Sequence, residues 1–253
     1  MLYLIMRVYL IPVKYACNAD CTFCITEIEK IKPGFNAMTG TMKPDSIIDN
    51  LKRCADYGVN EVEVTGGGEP YLNKDLDKIV ENIRTYIPNS YIKVYTNGFR
   101  FREIFFDEIN VSRAHYDKDI NNDIYRSKEQ NDLFESLTYF RKYCNILRWK
   151  LPLMTGAIDT PEKLLSLPAM FPMVDKIVGT PLFDKVPLAK DRYVKFAEDI
   201  VHNNIKMDKT GDYCGLQPII AADGVFYKNW DFDTHFDESM VKSWQNFTPI
   251  IKN

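Results

Sequence analysis

Histidine is scarce in this chain. Only His115, His202 and His235 occur among 253 residues, all far in sequence from the one cluster of cysteines. Neither sign of charge dominates: 32 basic and 35 acidic side chains leave a net charge of −3. Electrostatics therefore gives no case for nucleic-acid binding. Long apolar runs are missing too. Met1 to Val13 is apolar, but it is too short to span a bilayer and Arg7 interrupts it. That segment also lacks the charged start and small-residue cleavage site of a signal peptide. No internal repeat or low-complexity tract is visible. The expectation is a cytoplasmic chain that needs no membrane. What is present is ordinary globular composition, 45% hydrophobic and 26% charged, which argues against disorder. At roughly 150 residues per domain the length suits one or two domains, and barrels of about 200–250 residues often count as one.

Six cysteines occur, and three of them fall within eight residues: Cys17-Asn-Ala-Asp-Cys21-Thr-Phe-Cys24, a C-x3-C-x2-C spacing. A secreted disulfide scaffold would be shorter and richer in cysteine. In a reducing compartment a tight cluster points to metal. A structural zinc site wants four protein ligands, and no fourth cysteine or histidine lies nearby. An iron–sulfur cube also usually has four thiolates. Three thiolates on one loop leave one iron open, which is what chemistry needs.

The chain then alternates between strands and helices. Arg7 to Val13 is β-rich and leads into the cysteine loop. A helix is expected from near Lys43-Pro44-Asp45-Ser46, with Ile47, Ile48, Leu51, Cys54 and Ala55 as its apolar stripe and Gly58 as its stop. Glu61 to Thr65 reads as a strand running into Gly66-Gly67-Gly68-Glu69-Pro70. A helix with Leu76, Ile79, Val80 and Ile83 on one face follows. Tyr91 to Tyr95 is a strand entering Thr96-Asn97-Gly98. Further strands are expected at Asn110–Ser112, Ile146–Leu153 and Val174–Thr180. Helices are expected around Leu133–Phe140, after Asp159-Thr160-Pro161, and over Tyr193–Val201. Cys54 and Cys144 are expected on apolar helix faces, as core residues. His115 is expected to be a structural histidine. Pro218 to Tyr227, turning at Asp223-Gly224, reads as a hairpin.

Repeated β–α units predict a parallel sheet. Six units suit an open (β/α)6 partial TIM barrel, an α/β fold, with a small C-terminal β-hairpin cap. The expected division is 1–205 for the barrel and 206–253 for the cap and tail. In such folds the loops at the carboxyl ends of strands share one face, where active sites are built.

With these motifs in place, the chain resembles the radical S-adenosylmethionine (SAM) enzymes over roughly Arg7 to Val201. The cysteine motif carries the resemblance, with Phe23 just before its last cysteine, together with Gly67-Gly68-Glu69-Pro70. The resemblance implies that Cys17, Cys21 and Cys24 hold a [4Fe-4S] cluster and that SAM chelates its open iron. One electron from the reduced cluster then cleaves SAM to methionine and a 5′-deoxyadenosyl radical, which removes a substrate hydrogen. Glu69 would accept a hydrogen bond from the amino group of SAM, with Gly67 and Gly68 allowing close backbone approach. Phe23 would lie near the adenine, and Asn97 is a further SAM-contact candidate. The SAM carboxylate would meet Ser112, Arg113, Arg126, Arg148 or Lys150.

Cys214-Gly215 and the hairpin resemble a degenerate form of the C-terminal twitch or SPASM extension that binds auxiliary clusters. No cysteine follows Cys214, so no second cluster is expected. Cys214 could instead donate a hydrogen atom, as in radical epimerases. The expected substrate is a peptide or a biosynthetic small molecule, undergoing isomerisation, epimerisation or rearrangement. The expected electron donor is a flavodoxin or ferredoxin. The alternatives are a ring-contracting 7-carboxy-7-deazaguanine synthase-like enzyme using Mg2+, an activase of a glycyl-radical enzyme, and a non-catalytic metal-binding protein.

Overall fold

The computed structural model describes residues 3–4, 6–24, 40–129, 131–180, 204–207, 218–228, 235–241 and 250–251. The expected helix over Tyr193–Val201 and the thiol of Cys214 lie outside these residues.

The described strands and helices run β1 (Tyr3–Leu4), β2 (Arg7–Leu10), β3 (Val13–Lys14), β4 (Gly40–Thr41), α1 (Ile48–Asp56), β5 (Glu61–Val64), α2 (Leu76–Tyr86) and β6 (Tyr91–Thr96). They continue with β7 (Phe106–Ser112), α3 (Lys118–Tyr125), α4 (Leu133–Phe140), β8 (Cys144–Pro152), α5 (Pro161–Met170) and β9 (Lys176–Thr180). The last are β10 (Ile205–Met207), β11 (Ile219–Ile220), β12 (Phe226–Tyr227) and β13 (Ile250–Ile251). Among the described residues, no helix is long and apolar enough to cross a membrane.

The chain divides into two compact units. The first comprises Met1–Ala16, Pro33–Val94 and Tyr213–Asn253. In it β2 pairs in parallel with β5, and β5 with β6. Strand β11 of the hairpin runs parallel to β2 and antiparallel to β12, so the hairpin extends this sheet. Helix α1 buries Leu51 and Cys54, and α2 buries Leu76, Ile79, Val80 and Ile83, the stripes expected from the 3.6-residue period. Gly58 stops α1 at φ +81°.

Strand β5, Glu-Val-Glu-Val, is buried on both faces. Val62 and Val64 enter the apolar layer. Glu61 and Glu63 face the other way and are buried against Arg7 and Lys93. Lys93 Nζ stands 2.7 Å from Glu61 and 3.5 Å from Glu63, and Arg7 Nε bonds Glu61 and lies 3.1 Å from Glu63. Two cations neutralise two carboxylates, so neither acid is left buried and unpaired.

The second unit comprises Cys17–Lys32 and Tyr95–Asp212. Here β7, β8, β9 and β10 are successive parallel neighbours. Ile109, Val111, Leu147, Trp149 and Leu151 are fully buried. Complete burial of such side chains contributes roughly 1.5–3 kcal/mol each. Trp149 packs edge-on against Phe171 at 5.0 Å. Helix α5 starts as its sequence suggests, with Pro161 in the first turn and the Thr160 side chain accepting from the Lys163 N–H.

Two expectations need correction. Strand β7 is seven residues long, from Phe106, rather than the three of Asn110–Ser112. Its acidic start conceals it: Glu108 is buried because Arg148 Nη2 pairs with it at 3.0 Å and Asn110 Nδ2 donates to it at 2.9 Å. Cys144 is a core residue, but it opens β8 instead of riding a helix, and its thiol donates to the Phe140 carbonyl at 3.3 Å.

Candidate functional site

The cysteine loop lies in the second unit, and side chains hold it. Asn18, between the first two cysteines, is its anchor. The Asn18 carbonyl accepts from Ser127 Oγ at 3.1 Å and from the Lys128 N–H at 3.2 Å. Its Nδ2 donates to Glu129 Oε2 at 3.1 Å, and its Oδ1 accepts from Asn97 Nδ2 at 2.7 Å. Farther along, the Asp20 and Thr22 N–H groups donate to the carbonyls of Tyr125 and Ile124, at 2.9 and 3.3 Å. The loop is thus pinned to the end of α3 over most of its length. Ala19, Cys21 and Phe23 pack on a buried cluster of Phe99, Ala114, Ile124, Tyr125, Met154 and Ala157. Phe23 meets Tyr125 edge-on at 5.4 Å.

The loop leaves Cys17 exposed and Cys21 and Cys24 partly buried. The Cys21 thiol is pushed well above its ordinary value, first by burial and then by the charges of Cys24 and Cys17. Three thiolates this close repel one another. A cation shared among them relieves that repulsion. Among the described residues, no three His, Cys, Asp or Glu side chains are disposed to hold a metal ion. Three soft thiolates are the donor type that iron–sulfur clusters take, so the chemistry of this donor set fits one.

Asn97 stands at the end of β6 and is 8% exposed. Its Oδ1 accepts from the Phe99 N–H at 3.0 Å, which settles which end of the amide is nitrogen. The Nδ2 then donates to Asn18 Oδ1 and, at 3.7 Å, to Cys17 Sγ.

The carboxylate-binding candidates separate. Ser112 and Lys150 are register partners on β7 and β8. Ser112 Oγ lies 2.9 Å from the Tyr125 hydroxyl. Burial and the Cys21 charge push that phenol well above its ordinary range, so it stays protonated. Lys150 Nζ stands 5.9 Å from the Tyr95 ring centroid. Arg126 is exposed at the end of α3, with φ +47°. Arg148 is paired with Glu108. Arg113 is 1% exposed and bonds the carbonyls of Asn97, Gly98 and Asn131, which points it into the protein's own backbone. His115 is structural, as expected: Nδ1 accepts from the Asp117 N–H at 2.8 Å.

The glycine loop lies in the first unit and is built differently. Gly67 has φ +70°, and a Cβ on Gly68 would meet the Ala16 carbonyl oxygen at 2.3 Å. This approach lets the Glu69 N–H donate to that same oxygen at 3.0 Å, while the Tyr15 N–H donates to the Gly67 carbonyl at 2.5 Å. Ala16 directly precedes Cys17 in the chain. Glu69 is 2% exposed, and its Oε1 accepts from the Tyr71 N–H at 3.1 Å. That bond caps the turn Pro70–Leu72 and fixes the carboxylate's direction.

Residues 11–156, more than half of the chain, match the family described as the radical SAM superfamily. A probable GTP 3′,8-cyclase of Thermoplasma volcanium is 33% identical over 116 residues, which is 43% of this chain and 33% of that protein. Another of Methanopyrus kandleri is 26% identical over 180 residues, 68% of this chain and 54% of that protein. The chain therefore spans about a third to a half of these curated relatives. A structure of SuiB from Streptococcus suis bound to its precursor peptide SuiA superposes with TM-score 0.67 and 12% identity, covering 96% of this chain and 67% of that one. This likeness shows the fold, an α/β architecture with mostly parallel strands, consistent with the partial TIM barrel expected from the sequence. Both the cysteine loop and the Gly67-Gly68-Glu69-Pro70 loop fall inside the matched stretch, and the chain belongs to the radical SAM superfamily, whose members use a [4Fe-4S] cluster and S-adenosylmethionine.

Proposed function

We propose that Cys17, Cys21 and Cys24 hold a [4Fe-4S] cluster through three thiolates and leave one iron for SAM. The carrying observation is three thiols on one pinned loop, where burial first, and then the charges of Cys24 and Cys17, oppose ionisation of Cys21. A cationic cluster reverses that penalty. When bound, the reduced cluster supplies the electron that cleaves SAM to methionine and a 5′-deoxyadenosyl radical, which abstracts hydrogen from the substrate.

The chain's own residues bind and orient. Glu69, its direction fixed by the Tyr71 N–H, accepts a charge-assisted hydrogen bond from the amino group of SAM. Gly67 and Gly68 let the loop close on the Ala16 carbonyl and so set where Glu69 stands. Lys150, with Ser112 as its register neighbour, meets the SAM carboxylate. Phe23, braced on Tyr125, supplies an apolar wall for the adenine. Such placement, together with exclusion of competing reactions, is the protein's share of cofactor chemistry.

The substrate is a peptide or a biosynthetic small molecule, and a flavodoxin or ferredoxin delivers the electron. A precursor peptide is what SuiB holds, and the curated relatives are named for GTP. These names cover two substrate chemistries, because fold and cofactor do not fix substrate.

The test is anaerobic reconstitution with iron and sulfide, reduction by dithionite, addition of SAM, and chromatographic quantification of 5′-deoxyadenosine. Wild type is expected to form the nucleoside, and Cys17→Ala, Cys21→Ala and Cys24→Ala to form none. Zinc in place of iron, or no metal at all, would overturn the reading.

A further inference from the structure

We propose that Asn97 tunes the cluster by donating a hydrogen bond to the Cys17 thiolate, and that Arg113 is the positioning residue that holds Asn97 in place. The inference rests on the reading of Cys17 as a cluster ligand.

An amide nitrogen has two hydrogens, and both of those on Asn97 Nδ2 have assigned directions. One goes to Asn18 Oδ1 at 2.7 Å and the other to Cys17 Sγ at 3.7 Å. The amide cannot turn over, because its oxygen accepts from the Phe99 N–H at 3.0 Å. A flip would set an NH2 group against that N–H and an oxygen against Asn18 Oδ1. The donor is therefore aimed at sulfur by the network around it.

The backbone beneath Asn97 is held from the other side. Arg113 Nε donates to the Asn97 carbonyl at 2.6 Å, and Nη2 donates to the Gly98 carbonyl at 3.1 Å. A planar guanidinium can grip two successive carbonyls in this way, whereas an ammonium cannot. The same guanidinium lies over the Phe99 ring, 3.5 Å from its centroid. Arg113 is itself fixed, since Trp149 Nε1 donates to its carbonyl at 2.7 Å. Ser136 Oγ gives the Gly98 carbonyl a second donor at 3.0 Å. The path from Trp149 to Cys17 is a continuous series of bonds within one compact unit.

Hydrogen bonds to cluster sulfurs are among the levers that set reduction potential. A donor withdraws charge from the thiolate, favours the more negative reduced cluster, and raises the potential. Reduction precedes cleavage of SAM, so this bond sets how readily the cluster accepts its electron. Residues standing behind metal ligands characteristically act in this way.

The experiment measures the midpoint potential of the reconstituted cluster without SAM, by redox titration followed by electron paramagnetic resonance. Iron and sulfide are counted on the same samples. The variants are Asn97→Leu, Asn97→Asp, Arg113→Met and Arg113→Lys. Asn97→Leu is expected to lower the reduced-to-oxidised ratio about tenfold at the wild-type midpoint, or ~59 mV for a one-electron couple. Its iron content should equal that of wild type. Arg113→Met should move the potential in the same direction by a smaller amount, with Arg113→Lys recovering only part.

An unmoved potential in Asn97→Leu at full iron content would overturn the hydrogen bond. A shift in Asn97→Asp alone would also overturn it, by assigning the effect to the added charge. A shift in Asn97→Leu with none in Arg113→Met would overturn the positioning role. Wild type that assembles no cluster would instead overturn the reading on which the inference rests. Arg113→Lys keeps the buried positive charge but not the two-carbonyl grip, so it carries the positioning test if Arg113→Met fails to fold.

Discussion

The two loops proposed to handle the cofactors are built by opposite means. The glycine loop is shaped by missing atoms: Gly68 lies so close to the Ala16 carbonyl that no Cβ fits, and backbone hydrogen bonds hold the rest. The cysteine loop is shaped by added groups. Asn18, Asn97, Ser127 and Glu129 supply the bonds that fix it, and Phe23 docks it on Tyr125. A loop made of backbone contacts tolerates almost no substitution at its contact point. A loop made of side-chain contacts loses them one at a time. Local stability should therefore fail abruptly in the first and by degrees in the second.

The largest expected effect is that of Gly68→Ala. The obstructing atom is backbone oxygen and cannot step aside, so the loss should reach about 3 kcal/mol in a urea titration, at the upper end for overpacking. A loss below about 1 kcal/mol would mean that the glycine loop adjusts freely, and the contrast would fail.

Asn18→Ala comes next. It removes one partner of Asn97 Nδ2 and one of Glu129 but leaves the Asn18 backbone carbonyl bonded, so a loss of about 1–2 kcal/mol is expected. Amide exchange at Asp20 and Thr22 should quicken, while the Glu69 amide in the other unit stays protected. Equal quickening in both loops would break the comparison.

The smallest effect depends on pH. Burial lowers the pKa of His115 from its ordinary value near 6.5. The unfolded chain therefore binds a proton that the folded chain resists, and stability falls as pH drops through about 6.5 toward the lower folded value. Protonation also turns Nδ1 from acceptor to donor against the Asp117 N–H, a bond worth about 1 kcal/mol. Urea midpoints between pH 7.5 and 5 should decline in wild type. The slope should flatten in His115→Asn, and an unchanged slope would count against this account.

The two loops also differ in how far the sequence discloses them. Gly66 to Pro70 is conspicuous because a backbone requirement selects glycine directly, and the cysteine spacing is conspicuous because thiolates have few other uses at that density. The helical stripes of α1 and α2 were legible for a similar reason, since burial on one face imposes a period. The supports of the cysteine loop were not. Asn18, Ser127 and Glu129 are common polar residues whose role exists only once residues more than a hundred positions apart meet. Arg113 reads as a candidate for an anionic ligand, and only the fold shows that backbone carbonyls occupy it. Strand β7 runs longer than its sequence suggests because Glu108 looks like a surface residue until Arg148 is seen beside it. The buried Glu61 and Glu63 were hidden likewise, since charge pairing across strands leaves no local pattern.

The central claim is that three thiolates hold a cluster whose open iron takes SAM. The most direct measurement is the electron paramagnetic resonance spectrum of the reduced, reconstituted protein before and after SAM is added. Wild type should carry about four irons per chain, and its spectrum should change on adding SAM. Gly68→Ala or Glu69→Gln should keep the iron and lose most of that change. A spectrum indifferent to SAM, from a fully loaded cluster, would mean that no iron is open and would contradict the account.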